Sequence, residues 1–166
     1  MNHAHRPDPD FARAEAKARS ILSELGYNHP PINPLDIAKK LGIDVSFVSF
    51  PQNPDVSGFY DPSERRIYVN AAEGTRRQSF TIAHELGHAL LHQEWAKSNE
   101  YRVLMRDMEG DKNDPKEKEA NTFAANLLVP RNMLLHFLDK MSVKELADMF
   151  VVSEQMLGYR IYRVTS

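Results

Sequence analysis

Residues 84 to 88 read His84-Glu85-Leu86-Gly87-His88, inside the run FTIAHELGHALLH. Successive residues of an α-helix are about 100° apart, so His84 and His88 differ by about 40° and leave one face together. Two imidazole nitrogens one turn apart can take two corners of a zinc tetrahedron. Glu85 lies about 60° round from His88, beside the metal position rather than on it, where a general base acting on water belongs. Phe80, Ile82, Ala83, Leu86, Leu90 and Leu91 give the helix apolar residues to bury. A glycine inside a helix costs about 1 kcal/mol relative to alanine, so Gly87 implies a close approach by a neighbour.

Catalytic zinc usually has three protein ligands and one open position. The metzincin arrangement, with glycine and a third histidine downstream, is absent, because those positions hold Leu91 and Glu94. His92 lies one turn past the motif and is expected to point past the metal as a surface residue. The third ligand is then sought on a later helix, where EKEANTFAANLL offers Glu117 and Glu119. With Glu117 set to zero, Ala120, Phe123, Ala124, Leu127 and Leu128 form a stripe centred near about 300°. Glu117 is about 60° from that centre and Glu119 about 100° away, facing solvent. Glu117 is the better ligand, although it could also close a capping box with Asp114. Asn121, one turn on, could hydrogen-bond a ligand or simply pack between helices.

These residues sit in 166, enough for one domain with a real core and a small appended part. With 42% hydrophobic and 27% charged residues, the composition is that of an ordinary globular protein. The absence of cysteine excludes disulfide scaffolds, thiolate zinc sites and cysteine nucleophiles. A formal charge of −2 provides no general attraction for nucleic acid. No apolar run has the length of a membrane span and the first residues are polar, so a cytoplasmic protein is expected. A cytosolic peptidase with no evident pro-segment is expected to be selective, regulated or both.

Along the chain, His3 and His5 fall in a start expected to fray. Asp8-Pro9 is expected to cap and open a helix running to about Gly26. Asn33-Pro34 opens a short helix closed by Gly42, and residues 43–49 alternate as a strand. VSGFYD and RIYVN form a hairpin around Pro62-Ser63-Glu64. The motif helix should run from Thr75 to Glu94. Val103, Leu104 and Met105 could form a further edge strand. Asp114-Pro115 opens the next helix, Pro130 another, and Ser142 with Glu145 forms a capping box before two short helices. The fold class is α+β, with the hairpin beside the motif helix and a helical C-terminal part. The organisation expected is an N-terminal helix (1–29), a metallopeptidase domain (30–140) and a helical pair packed on it (141–166).

VSGFYDPSERRIYVN, FTIAHELGHALLH and EKEANTFAANLLVP occur in that order. Together they resemble the ImmA/IrrE family of metallopeptidases over roughly residues 30 to 140. The resemblance implies a compact thermolysin-like zincin domain with Zn2+ on His84, His88 and Glu117, and with Glu85 as base. It further implies a protein substrate, namely a helix-turn-helix repressor encoded nearby and cleaved to derepress genes, as in stress responses. The family's usual LLMP is LLVP here.

The segment SVKELADMFVVSEQMLGYRIYRV has a helix-turn-helix outline. Its turn holds Val151 rather than glycine, however, and its last helix offers only Arg160 and Arg163, so direct DNA binding is not expected. Tyr60, Tyr101 and Arg102 are candidates for stabilising an oxyanion. Residues 95–113 join the two ligand-bearing helices and are a candidate lid. Two alternatives stand beside a site-specific endopeptidase: a non-catalytic regulatory binding protein on the same fold, and the toxin of a toxin–antitoxin pair. An intact Glu85 favours the enzyme, because a binding module needs no base.

Overall fold

The computed structural model describes residues 7–98 and 113–166. His3, His5, Tyr101, Arg102, the strand expected at 103–105 and most of the candidate lid lie outside the described residues.

The N-terminal helix α1 (Phe11–Glu24) is capped by Asp10, whose side chain accepts from the Arg13 N–H at 3.0 Å. The expected cap at Asp8-Pro9 is therefore two residues too early. Asp10 satisfies the free N–H groups of the first turn, and its own N–H is bonded across the fold to Glu119. Helix α2 (Pro34–Lys40) starts as expected, with Asn33 accepting from Leu35 and Asp36. Three strands follow: β1 (Asp44–Val48), β2 (Gly58–Asp61) and β3 (Arg66–Asn70). Their order in the sheet is β1-β3-β2, with β1 parallel and β2 antiparallel to β3. Asp61 holds the β2–β3 turn by accepting from the Ser63 N–H at 2.9 Å and the Ser63 hydroxyl at 2.7 Å.

Helix α3 (Thr75–Leu91) carries the histidine motif and stops three residues before the expected Glu94. His92 leaves helical geometry at φ −125° and ψ 39°, and a one-turn helix α4 (Gln93–Ala96) follows. Beyond the residues not described come α5 (Pro115–Leu128), α6 (Arg131–Phe137), α7 (Val143–Phe150) and α8 (Glu154–Thr165). Helix α3 packs on β2 and β3 on one side and on α5 on another, while α1 covers a further side of α5. One cluster of buried side chains, from Ala14 through Ile67, Leu86, Phe123 and Leu127 to Leu157, joins these layers. Each large member contributes about 1.5–3 kcal/mol by leaving water.

Two glycines set the spacing around the motif helix. A Cβ on Gly58 would stand 2.3 Å from the Tyr68 carbonyl oxygen and 2.8 Å from Thr81 Cγ2, so β2 lies tight against α3. A Cβ on Gly87 would stand 3.2 Å from the Ala120 Cα, which is the close approach its place in a helix implies.

Ser142 and Glu145 form the expected capping box on α7. Val151 ends that helix in the left-handed conformation at φ 57°, taking the place glycine holds in such turns. Arg160, one of the two cations on the last helix, is buried; its Nε donates to the Val129 carbonyl and its Nη2 to Asn126 Oδ1, both at 2.9 Å. The arginine thus ties α8 to the end of α5 and is not on the surface.

Candidate metal centre

Helix α3 sends His84 and His88 toward α5, and Glu117, in the first turn of α5, points back between them. Glu117 Oε2 lies 3.1 Å from His84 Nε2, and Glu117 Oε1 lies 2.8 Å from His88 Nε2. One ligand atom from each of the three residues falls within 4.8 Å of the others. Asp114 caps α5 by accepting from the Lys116 N–H at 2.8 Å, while both oxygens of Glu117 are turned to the histidines. The cap and the metal-type contact are made by different residues.

Asn121 stands on the same face as Glu117, one turn later, and its Oδ1 is 2.8 Å from His84 Nδ1. Of the two roles considered for it, the structure shows the hydrogen bond to His84. An amide oxygen takes the single proton of a neutral imidazole, so His84 meets Glu117 with the lone pair of Nε2. A lone pair facing a carboxylate is held there by a cation, either a further proton or a metal ion. Two imidazoles and one carboxylate are the donor set of hydrolytic zinc sites, and the residues present fit that ion.

The electrostatics of the metal-free site follow from burial. His88 is pushed down to about 4, chiefly because burial disfavours its charge, with only partial relief from Glu117. Burial also opposes charge on His84, but the Glu117 hydrogen bond and the carboxylates of Glu85 and Glu117 outweigh it, and its value is raised. Burial raises Glu117, yet its bonds to both histidines win and hold it well below the carboxylate range. Glu117 is thus held as a carboxylate and His88 as a neutral imidazole, the forms that bind a metal, while the carboxylates around His84 favour its charged form.

Glu85 is buried behind the cluster, and its Oε2 has no hydrogen-bond partner. Burial pushes its carboxyl up to about 8; the Glu117 charge adds to this, while His84 and a backbone hydrogen bond from Tyr60 oppose it. Tyr60 is largely buried, and it reaches Glu85 through its backbone N–H on β2.

Two sequence expectations are corrected. His92 is not a surface residue: it is buried, with Nδ1 2.8 Å from His88 Nδ1 and Nε2 2.8 Å from Glu119 Oε1. Glu119 does not face solvent: it is buried and also accepts from the Asp10 N–H at 2.8 Å. The apolar stripe marks only one covered side of α5, whereas α1 and His92 cover a second. A signal was present in the histidine spacing itself. His84, His88 and His92 each lie four residues apart, drifting only about 40° per step.

Fold and site together define a metallopeptidase-type α+β domain. The chain belongs to the family of the IrrE N-terminal-like domain, whose model matches residues 38–162. It is 31% identical over 130 residues to the radiation response metalloprotease IrrE of Deinococcus deserti, covering 77% of this chain and 44% of that protein. It is 33% identical over 114 residues to uncharacterized immunity region protein 2 of Bacillus phage phi105, covering 68% of each. Metallopeptidase ImmA of Bacillus subtilis is 27% identical over 110 residues, covering 64% of this chain and 62% of that one. The chain thus spans less than half the length of the Deinococcus deserti protein. A solved structure of a Mycobacterium tuberculosis transcriptional regulator shares the fold at TM-score 0.66 and 18% identity, covering 90% of this chain and 46% of the other.

Proposed function

We propose that this chain is a site-specific, zinc-dependent endopeptidase. In this reading His84, His88 and Glu117 hold Zn2+ and Glu85 is the general base. The observation that carries it is the convergence of three ligand atoms within 4.8 Å beside a buried carboxylate whose Oε2 has no partner. Zinc, when bound, supplies a Lewis acid that polarises a carbonyl and makes hydroxide available near neutral pH. Glu85 takes the proton of the attacking water on Oε2 and later delivers it to the leaving amine. Asn121 keeps His84 in the orientation and tautomer in which Nε2 faces the centre.

Strand β2 is at the edge of the sheet, and its Tyr60 N–H reaches Glu85, so this edge borders the site. A substrate backbone can add to it as a further strand, which favours an extended protein segment over a small molecule. The substrate proposed is a helix-turn-helix repressor encoded nearby, cleaved to derepress genes. The similarity to a phage immunity-region protein and to ImmA supports this context. A cytoplasmic site of action is part of the proposal and rests on the cysteine-free composition. No helix among the described residues is long and apolar enough to cross a membrane.

The test is to incubate the zinc-loaded protein with the repressor-like product of a neighbouring gene. Cleavage at one bond by the parent, and none by Glu85→Gln, is expected. Zinc binding and tight association without cleavage would replace this reading with that of a non-catalytic regulator.

A further inference from the structure

We infer that His92 and Glu119 are positioning residues for His88, and that they tie the start of α1 to the metal centre. The inference rests on the reading of His88 as a zinc ligand and extends it to residues that touch neither metal nor substrate.

Four groups stand in line. His88 Nδ1 is 2.8 Å from His92 Nδ1, His92 Nε2 is 2.8 Å from Glu119 Oε1, and Glu119 Oε2 accepts from the Asp10 backbone N–H at 2.8 Å. His88, His92 and Glu119 are all buried, so water is a poor substitute for any of these contacts. The direction of each bond follows from what each group can give. A carboxylate only accepts, so His92 must carry its proton on Nε2. A neutral imidazole has one proton, which leaves Nδ1 of His92 as an acceptor. That acceptor draws the proton of His88 to Nδ1 and leaves the lone pair of His88 on Nε2, the atom that faces Glu117. The relay therefore selects the nitrogen of His88 that a metal can use.

The same helix thereby serves both ligand histidines. Asn121 sets the tautomer of His84 directly, and Glu119 sets that of His88 through His92. Glu117, two residues before Glu119 and four before Asn121 on α5, reaches both histidines. The Asp10 N–H, at the start of α1, fixes the second oxygen of Glu119. Residues before the family-matched region, which begins at 38, thus contribute to the centre.

Glutamine at position 119 presents one acceptor and one donor, and cannot accept from both the Asp10 N–H and His92. Glu119→Gln and His92→Phe should each raise the zinc dissociation constant about 10- to 100-fold, the range for groups that orient metal ligands. Chelator competition gives that constant, and the visible spectrum of the cobalt-substituted protein should shift in both variants. Combining the two changes should add little to either alone, because one relay is broken once. In the zinc-loaded parent, nitrogen-15 NMR should find His92 protonated on Nε2 and His88 on Nδ1, a measurement that needs no variant to fold. His92 protonated on Nδ1 would overturn the inference. Variants with lowered melting temperature but unchanged zinc affinity and cobalt spectrum would also overturn it. A parent that takes up no zinc would instead overturn the metal reading itself, so the two failures are distinguishable.

Discussion

A Cβ added to Gly87 would stand 3.2 Å from the Ala120 Cα, so α3 and α5 meet backbone to backbone next to His88 and one turn from Glu117. Phe123 closes the contact, with Cδ1 at 3.2 Å and Cβ at 3.3 Å from the same point. This spacing lets Glu117 reach both histidines. Gly87→Ala gains about 1 kcal/mol of helix propensity and loses about 1–3 kcal/mol to overpacking. The expected net is a loss of about 1 kcal/mol in chemical denaturation of the metal-free protein, with zinc affinity lowered as the helices separate. Unchanged zinc affinity would mean that α5 yields without moving Glu117.

Ligand and base should separate in metal content. His88→Ala removes a ligand at the centre of the cluster, and the purified variant should contain little zinc. Glu85→Gln keeps the volume and the ligand set, so it should hold zinc while turnover is lost. Removing a general base costs about 100- to 10,000-fold in rate. Equal loss of metal in both variants, read by elemental analysis, would make Glu85 part of the ligand set.

Stability of the metal-free protein should fall as pH rises from about 6.5 to 8. Glu85 is raised by burial from 4.5 to about 8, so between those values the folded state holds a proton that the unfolded chain has lost. Its contribution therefore declines as pH rises through that window. His88, lowered by burial from 6.5 to about 4, acts with the opposite sign, but only below 6.5. His84 keeps a raised value despite burial because Glu117 and Glu85 favour its charge, and it adds to the decline above 6.5. Thermal melts should show the slope in the parent and a shallower one in Glu85→Gln. A slope of the same size in both would remove Glu85 as its source.

Val151 holds φ 57° at the end of α7, a conformation that costs a β-branched residue about 1–2 kcal/mol. Val151→Gly should relieve that strain at the price of a half-buried side chain and a more flexible unfolded chain. A gain of about 0.5–1 kcal/mol is expected. Denaturant titration checks it, and a clear loss would show that the packing of Val151 outweighs its backbone.

Much of the fold was legible in the sequence, since capping and periodicity are local properties. Asn33, Asp114 and Ser142 each cap the helix expected of them, and the two runs of the expected hairpin pair as β2 and β3. The spacing of His84, Glu85 and His88 likewise needed only a helix to place the three side chains. What the tertiary structure decided was which polar residues go inside. A helical wheel ranks Glu117 above Glu119 because it sees one apolar stripe, but α5 is covered by α3 on one side and α1 on another. His92 looks like a surface residue until α3 ends at Leu91 and turns its ring inward onto Glu119. Burial of a polar side chain depends on a partner brought from elsewhere in the chain, here 27 residues away for His92 and 109 for the Asp10 N–H. Local sequence carries the helix and its cap; only packing supplies the partner that allows a carboxylate and an imidazole to leave water.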